Sequence, residues 1–387
     1  MSDRKVEQNA TLLALTSSAL LLPGYQHAAA DAPPDYTELG IRYSQYEEDD
    51  TKSSKTFGGA SERYEIGIAQ FHLLAPVSDD WSLALDVQYE DMSGASPWFV
   101  GESLGGDPKV IMSGASIEDS RTDVSVTTRY YYDRGNAGFN YTRSEENDYE
   151  SDAIGLDASF NDSDGLTTYS AAISLSKDDI EPTQGSIQPT NTLKDEKDIR
   201  SGWIGVTRIV SKRAILRFGL GYTYREGFLT DPYKLNDRRP DERSEWAIST
   251  GYRHFFVESN AAIHVDYRYF DDDWGVSSHT VDLAWHQNIG QSSQLVPFLR
   301  YYTQDNADFF ANLEDIEARY YADDYRLSAY GAFSAGLRFN YSFGDWRVNL
   351  TGERYRTSSD WGVFGGEESP ALVDFWRYGI GLDYAFK

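Results

Sequence analysis

The chain has 387 residues, among them 9 Trp, 28 Tyr, 19 Phe and no Cys, and its formal net charge is −27. Without cysteine it can hold no disulfide, thiolate metal site or cysteine nucleophile, and its acidic balance excludes nucleic acid, which needs a basic face. Beyond the N-terminus no run of about twenty apolar residues occurs, which excludes a helical membrane protein but not a transmembrane barrel, where only alternate residues meet lipid.

Residues 1–30 read as an export signal, leaving 31–387 as one domain. Arg4 and Lys5 supply a basic start, residues 11–22 an apolar stretch, and Ala28, Ala29 and Ala30 a small-residue cleavage site before Asp31. Asp3 and Glu7 balance the two basic residues, so cleavage leaves the net charge unchanged.

From Thr37 onward apolar residues recur with period two in sixteen segments, the pattern of strands with unlike faces. Leu39, Ile41 and Tyr43 mark the first, Tyr64, Ile66 and Ile68 the second, and Trp81, Leu83, Leu85, Val87 and Tyr89 the third. Strands follow at 124–132, 139–141, 154–160, 169–175, 203–209, 216–224 and 246–252. The stretch 203–209 is ambiguous in register because both of its faces are apolar. Residues 261–287 form a hairpin in which Ile263, Val265, Tyr267, Val281, Leu283 and Trp285 oppose His264, Asp266, Arg268, Asp282 and His286. The last strands lie near 296–302, 333–341, 346–355 and 376–386.

Connections after even-numbered segments are short (133–136, 161–165, 210–213, 257–260, 288–293, 342–345), and most after odd-numbered ones are long (47–63, 91–120, 177–200, 226–242, 304–326, 357–373). This alternation predicts an all-β transmembrane antiparallel barrel of about 16 strands, with short periplasmic turns and long extracellular loops. Such a chain belongs in the outer membrane of a Gram-negative cell, against lipid and lipopolysaccharide. The alternating aromatics up to Phe386 resemble the C-terminal signature read by the barrel assembly machinery, although Lys387 departs from the usual terminal aromatic.

Several stretches resemble the outer-membrane barrels catalogued as domain of unknown function 3570. They are Asp266 to Gly275 with Ser278-His279-Thr280, Leu295 to Tyr302 with Ala307 to Phe310, Asp324 to Gly331, Asp231 to Lys234, Arg239 to Arg243, and Ser93 to Pro97, with a second Ser-Gly-Ala-Ser at 113–116. The resemblance implies an outer-membrane barrel with no established activity. It also implies a genomic neighbourhood holding a small lipoprotein and a flavin-attaching enzyme, hence a periplasmic lipoprotein or redox partner.

The inward register carries both signs: Arg42, Asp86, Arg129, Arg217, Arg253, Asp266, Arg268, Asp282, Arg338, Arg347, Arg377 and Asp383. Opposed charges either orient polar solutes and set ion selectivity or pair off in a structural lumen; both readings stand open. The acidic runs 47–50 and Asp271, Asp272, Asp273 suit a hard cation in ligand type, but their spacing lacks a dedicated loop's regularity, so solvated charge is the simpler reading. Arg238, Arg239, Asp241 and Arg243, with Asp231 and Asp273, are expected to form an ion-pair network folding loops inward, and Trp274 to turn toward the pore axis. His264, His279 and His286 share one hairpin, with His254 on the strand before it. A metal or acid/base pair with Asp266 and Asp282 is conceivable there; a hydrogen-bonded strut is the plainer role for His279. No nucleophile elbow, zinc-protease helix or phosphate loop occurs, and no cofactor is called for. Three functions follow in order: a channel for small polar or cationic solutes, a barrel clasping a lipoprotein or redox protein in its lumen, and an embedded enzyme.

Overall fold

The computed structural model describes residues 32–58, 61–113, 117–182, 194–314 and 317–387; the expected export signal and residues 114–116 lie outside them. The strands are β1 (Thr37–Glu48), β2 (Glu65–Ser78), β3 (Trp81–Gly94), β4 (Pro97–Glu102), β5 (Pro108–Met112), β6 (Ile117–Tyr132), β7 (Gly135–Glu145), β8 (Tyr149–Asn161) and β9 (Thr167–Ile180). They continue as β10 (Asp195–Ser211), β11 (Ala214–Gly227), β12 (Glu242–Phe256), β13 (Ala261–Asp272), β14 (Ser277–Ile289), β15 (Ser293–Gln304), β16 (Tyr330–Phe343), β17 (Trp346–Ser358) and β18 (Phe375–Phe386). Sixteen of these close an antiparallel barrel, each beside its sequence neighbour, with β1 pairing β18 and β3 pairing β6. Closure pairs every edge, which lipid demands because no water is there to satisfy free backbone groups.

The outer surface shows why these segments are strands. Ile41, Leu83, Ile154, Ile173, Leu220, Ile248 and Ile380 all stand exposed, a band that water would not tolerate and acyl chains would. Trp81 packs on Tyr130, and Trp346 on Tyr384, at the end where the short turns lie, as an interfacial aromatic girdle does.

Three readings change in the structure. On β2 it is Ile66 that turns inward, buried with Tyr64 and Met92 against Tyr46 and Ile68. The lipid phase of β2 is the alternate one: Phe71 pairs with Ile41 and Val87, and Leu73 with Leu39 and Leu85. The apolar residues of its first half belong to an internal core. On β10 the register resolves with Ile204 and Val206 outward and Trp203 in the lumen. Inside the long β3–β6 connection, β4 and β5 form a separate hairpin that no period-two run announced.

At the loop end the connections pack into a core of their own. Trp274, Val276, Ala307, Phe310, Ala322 and Leu327 bury one another, drawn from the β13–β14 and β15–β16 loops. Ala95, Val110, Met112 and Ala371 make a second cluster against Tyr325, joining the β3–β6 and β17–β18 loops. A lid with buried apolar side chains holds its shape as a small domain does.

Candidate functional site

The lid is held by buried charge. Arg239 donates from Nη2 to Asp324 at 3.0 Å and from Nε to Asp237 at 2.8 Å. Arg326 grips Asp324 through Nε at 2.9 Å and reaches Asp231 at 3.3 Å. Asp324 is fully buried. Burial alone would raise its pKa, but Arg326, Lys234 and Arg239 together outweigh that and hold it well below the usual carboxylate range. Lys234 also faces Asp323 at 3.5 Å and donates to the Pro97 carbonyl at 3.2 Å, tying in the β4 hairpin. The buried Arg63–Glu48 pair, 2.6 Å apart, lies under Tyr325 with the guanidinium 5.6 Å from that ring. The stretches that carry the resemblance, around Asp231, Arg239 and Asp324, thus meet in one ionic knot.

Of the residues expected to network, Arg239 and Asp231 take part in these contacts, and the others go elsewhere. Of the three arginines expected to hold the acidic turn it is Arg243 that binds it, through Asp272, and it stacks 4.5 Å from the Trp274 ring. Trp274 is buried and donates from Nε1 to the Glu242 carbonyl at 2.8 Å. Arg238 turns to Glu314 at 3.0 Å. Asp241 is exposed, and among the described residues its bond is through its carbonyl, which accepts from the Gly227 amide at 2.9 Å. Asp273 accepts from the Ser244 amide, and Asp271 from Ser277 and Tyr269. The acidic run is therefore a set of turn braces rather than a shared cation cradle. The 47–50 run also divides, Glu48 going to Arg63 and Asp49 to Arg354.

The histidines divide too. His264 and His286 face the lumen with ring centroids 3.9 Å apart. His279 lies on the outer face, bonded to Tyr267 at 2.8 Å, and His254 bonds Tyr252 at 3.0 Å on that same face. Asp266 and Asp282 sit directly across from each other on β13 and β14. Each is matched by arginine, Asp266 by Arg253 at 2.6 Å and Arg217 at 3.4 Å, Asp282 by Arg300 at 2.6 Å. That pairing favours the structural reading of these charges over an acid/base pair.

Sequence reading passed over one carboxylate group. Asp119, Glu146 and Asp148 come from β6 and the tight β7–β8 turn, with oxygens within 4.8 Å of one another. Burial pushes Glu146 up to about 8, with Asp148, Asp119 and Glu90 adding to the rise and Arg121 opposing it. Burial likewise lifts Asp148 to about 6. Between the ordinary carboxylate value and about 8, the folded turn keeps a proton that the unfolded chain has lost, so its stability falls as pH rises through that window. Amide exchange across residues 146–149, corrected for intrinsic rate, should quicken several-fold from pH 5 to pH 8, and Glu146→Gln should flatten that profile. A profile unchanged in the variant would show that Glu146 does not control the turn.

Beneath the lid the lumen changes character. Inward side chains near the loop end are sealed, with Glu90 5% and Asp178 1% exposed, whereas Arg42 is 59% and Asp86 53% exposed near the turn end. Between them a cavity of about 250 Å³ lies against the β6–β13 wall, lined by Asn140, Thr142, Ser174, Ser201, Trp203, Thr223, Glu245 and Arg268 among others.

Comparison with known structures bears on the fold. CdiB from Acinetobacter baumannii aligns at 10% identity and a TM-score of 0.53, over 91% of this chain and 60% of that one, so the chain spans less than two thirds of its length. A bacterial polysaccharide outer membrane secretin aligns at 8% identity and a TM-score of 0.51, over 91% of this chain and 99% of that one. No curated protein matches the sequence. The family described as Protein of unknown function (DUF3570) matches residues 12–373, and the chain belongs to it.

Proposed function

We propose that this protein is an outer-membrane channel for small polar solutes, exported by a cleaved signal within residues 1–30 and seated with its lid outside the cell. The supporting observation is the polar lumen of a closed barrel, with inward charges exposed toward the turn end and a cavity toward the loop end. The surplus of carboxylates, net −27, draws cations toward the mouths. Inside the lumen carboxylates such as Asp157, Asp266 and Asp282 are each held by arginine, so cation preference rests on the mouths rather than on a ring of free acids. Catalysis is set aside because Asp266, the carboxylate closest in sequence to His264, is already committed to Arg253 and Arg217.

A second reading has its own support: the exposed Arg42, His72 and Asp86 form a polar mouth at the turn end, suited to a small periplasmic lipoprotein or redox protein. Conductance of the refolded protein in planar bilayers decides between them. Stepwise single-channel current is expected for the channel. Its absence, together with tight capture of a periplasmic protein by the turn-end mouth, would replace it with the second reading. Orientation has a separate check. A tag at Leu104, the exposed tip of the β4–β5 hairpin, should be labelled on intact cells, and one at Gly344 only after permeabilisation. Labelling at Gly344 on intact cells would invert the topology.

A further inference from the structure

The luminal cavity contains two hydrogen-bond donors that the protein leaves unused. Both belong to one patch of wall. Register pairs Trp203 with Gly221, Gly221 with Ala247, and Ala247 with Phe270, so these four residues form one inward row across β10 to β13. The next row toward the turn end is Gly205, Gly219, Ser249 and Arg268. A tryptophan facing a barrel lumen is bulky, and the wall is built to receive it. A Cβ placed on Gly205 would come within 2.2 Å of the indole, on Gly219 within 2.8 Å, and on Gly221 within 3.5 Å. The indole therefore lies against bare backbone, and its remaining surface lines the cavity.

Arg268 lines the same cavity. Among the described residues its guanidinium makes no hydrogen bond or ion pair; it stands 5.6 Å from the Phe270 ring and feels Tyr302 and Glu245 only as nearby charge, without a bond to either. The carboxylates that could claim it are taken: Glu245 by Arg225 at 2.9 Å and Arg243 at 3.4 Å, Asp178 by Lys197 at 3.1 Å, Asp157 by Arg129 at 2.7 Å. Among the described residues the Trp203 indole N–H has no acceptor either. Without a protein acceptor the guanidinium is free to take a carboxylate, which its fork matches, and the indole offers the cavity an aromatic surface on which a ring can lie. Two strand spacings, roughly 10 Å, separate the backbone under the indole from the backbone carrying Arg268. Small residues, Ser249 and Ala247, floor the gap.

We propose that this patch binds a small organic anion made of one ring and one carboxylate, the ring lying on Trp203 and the carboxylate on Arg268. The site rests on the channel reading only for its role in transport, as the place where such a solute pauses. Ring and charge are both required: an inorganic anion would leave the indole uncovered, and an uncharged ring would leave the guanidinium without a partner.

The test uses the refolded full barrel in detergent micelles and measures binding by calorimetry, without ion flux. The probes are benzoate and glucuronate, with benzamide and glucose as uncharged counterparts. Both anions are expected to bind, each at least about tenfold more tightly than its neutral counterpart, the worth of a charge-assisted hydrogen bond. Arg268→Gln should erase that preference, and Trp203→Leu should weaken benzoate by a similar factor. Binding of benzoate alone assigns an aromatic carboxylate, and of glucuronate alone a sugar acid. The proposal falls if neither anion binds, if the neutral counterparts bind equally well, or if Arg268→Gln keeps the preference in a properly folded barrel. The comparison of anion with neutral probe in the parent protein decides the matter even where a variant fails to fold. A barrel that conducts but ignores both anions would retire this site and keep the channel; one that binds them but never conducts would do the reverse.

Discussion

Leu220→Arg or Leu283→Arg is expected to stop most of the protein from reaching its folded, heat-modifiable form in bilayers. Leu220 stands outward between Ile204 and Ile248 on the neighbouring strands, and Leu283 between Val265 and Leu299. Both are substantially exposed in a molecule whose outer band is mainly apolar. A guanidinium near the bilayer midplane costs roughly 2–4 kcal/mol, a large part of the margin by which a barrel folds. Arg217 and Asp282 lie on the same strands but face the lumen, so Arg217→Ala and Asp282→Ala should assemble almost normally. Asp266 keeps Arg253 when Arg217 is lost, and the Asp282–Arg300 pair is exposed enough to contribute little. Equal tolerance on both faces would mean that the outer band does not meet lipid.

That asymmetry between faces explains which parts of the molecule could be read from sequence. Where lipid lies on one side and water on the other, residues must alternate, and a period-two segment marked each of the sixteen barrel strands, with only β10 unclear in phase. The reading failed where a third environment intervened. Near the loop end of β2 the lumen is itself a dry core, so Ile66 is apolar and inward, and the lipid phase had to be found at Phe71 and Leu73. At β10 both phases are apolar because Trp203 sits in the lumen. The signal that could have resolved it was the glycine set at 205, 219 and 221, spaced to clear an indole. The lid was legible only as a list of motifs. Asp324 lies 85 residues beyond Arg239, and no local pattern says that Asp324 rather than Asp273 receives Arg239. The Asp119, Glu146 and Asp148 group escaped for the same reason, being assembled by strand pairing rather than by spacing. Arg268 was recognised as inward, but its lack of a carboxylate partner emerges only once its neighbours' partners are counted.

Asp324→Ala is expected to open the lid while leaving the barrel intact. The carboxylate is completely buried and is shared by Arg239 and Arg326, so its removal leaves two desolvated cations with one carboxylate each, Asp237 for Arg239 and Asp231 for Arg326. Leaving a buried charge wholly uncompensated costs about 3–5 kcal/mol; with Asp237 and Asp231 still in place the cost here is a part of that, still large beside scattered loop contacts. The barrel ladder runs through backbone hydrogen bonds that Asp324 does not share, so heat-modifiable migration should persist. Limited proteolysis should instead cut within 305–329, where the parent resists. The pH dependence has a definite sign. Asp324 is held below the ordinary carboxylate value, so its stabilisation is complete above that value and is lost only as pH falls through the depressed one. The parent lid should therefore stay resistant at pH 4, where an unperturbed aspartate is already near half protonated. Asp324→Asn keeps the shape but not the charge, and should leave the lid as open at pH 7 as the parent becomes only in strong acid. If Asp324→Asn resists protease like the parent, the knot around it is packing rather than charge. The lid would then owe its closure to Trp274, Phe310 and Leu327 alone.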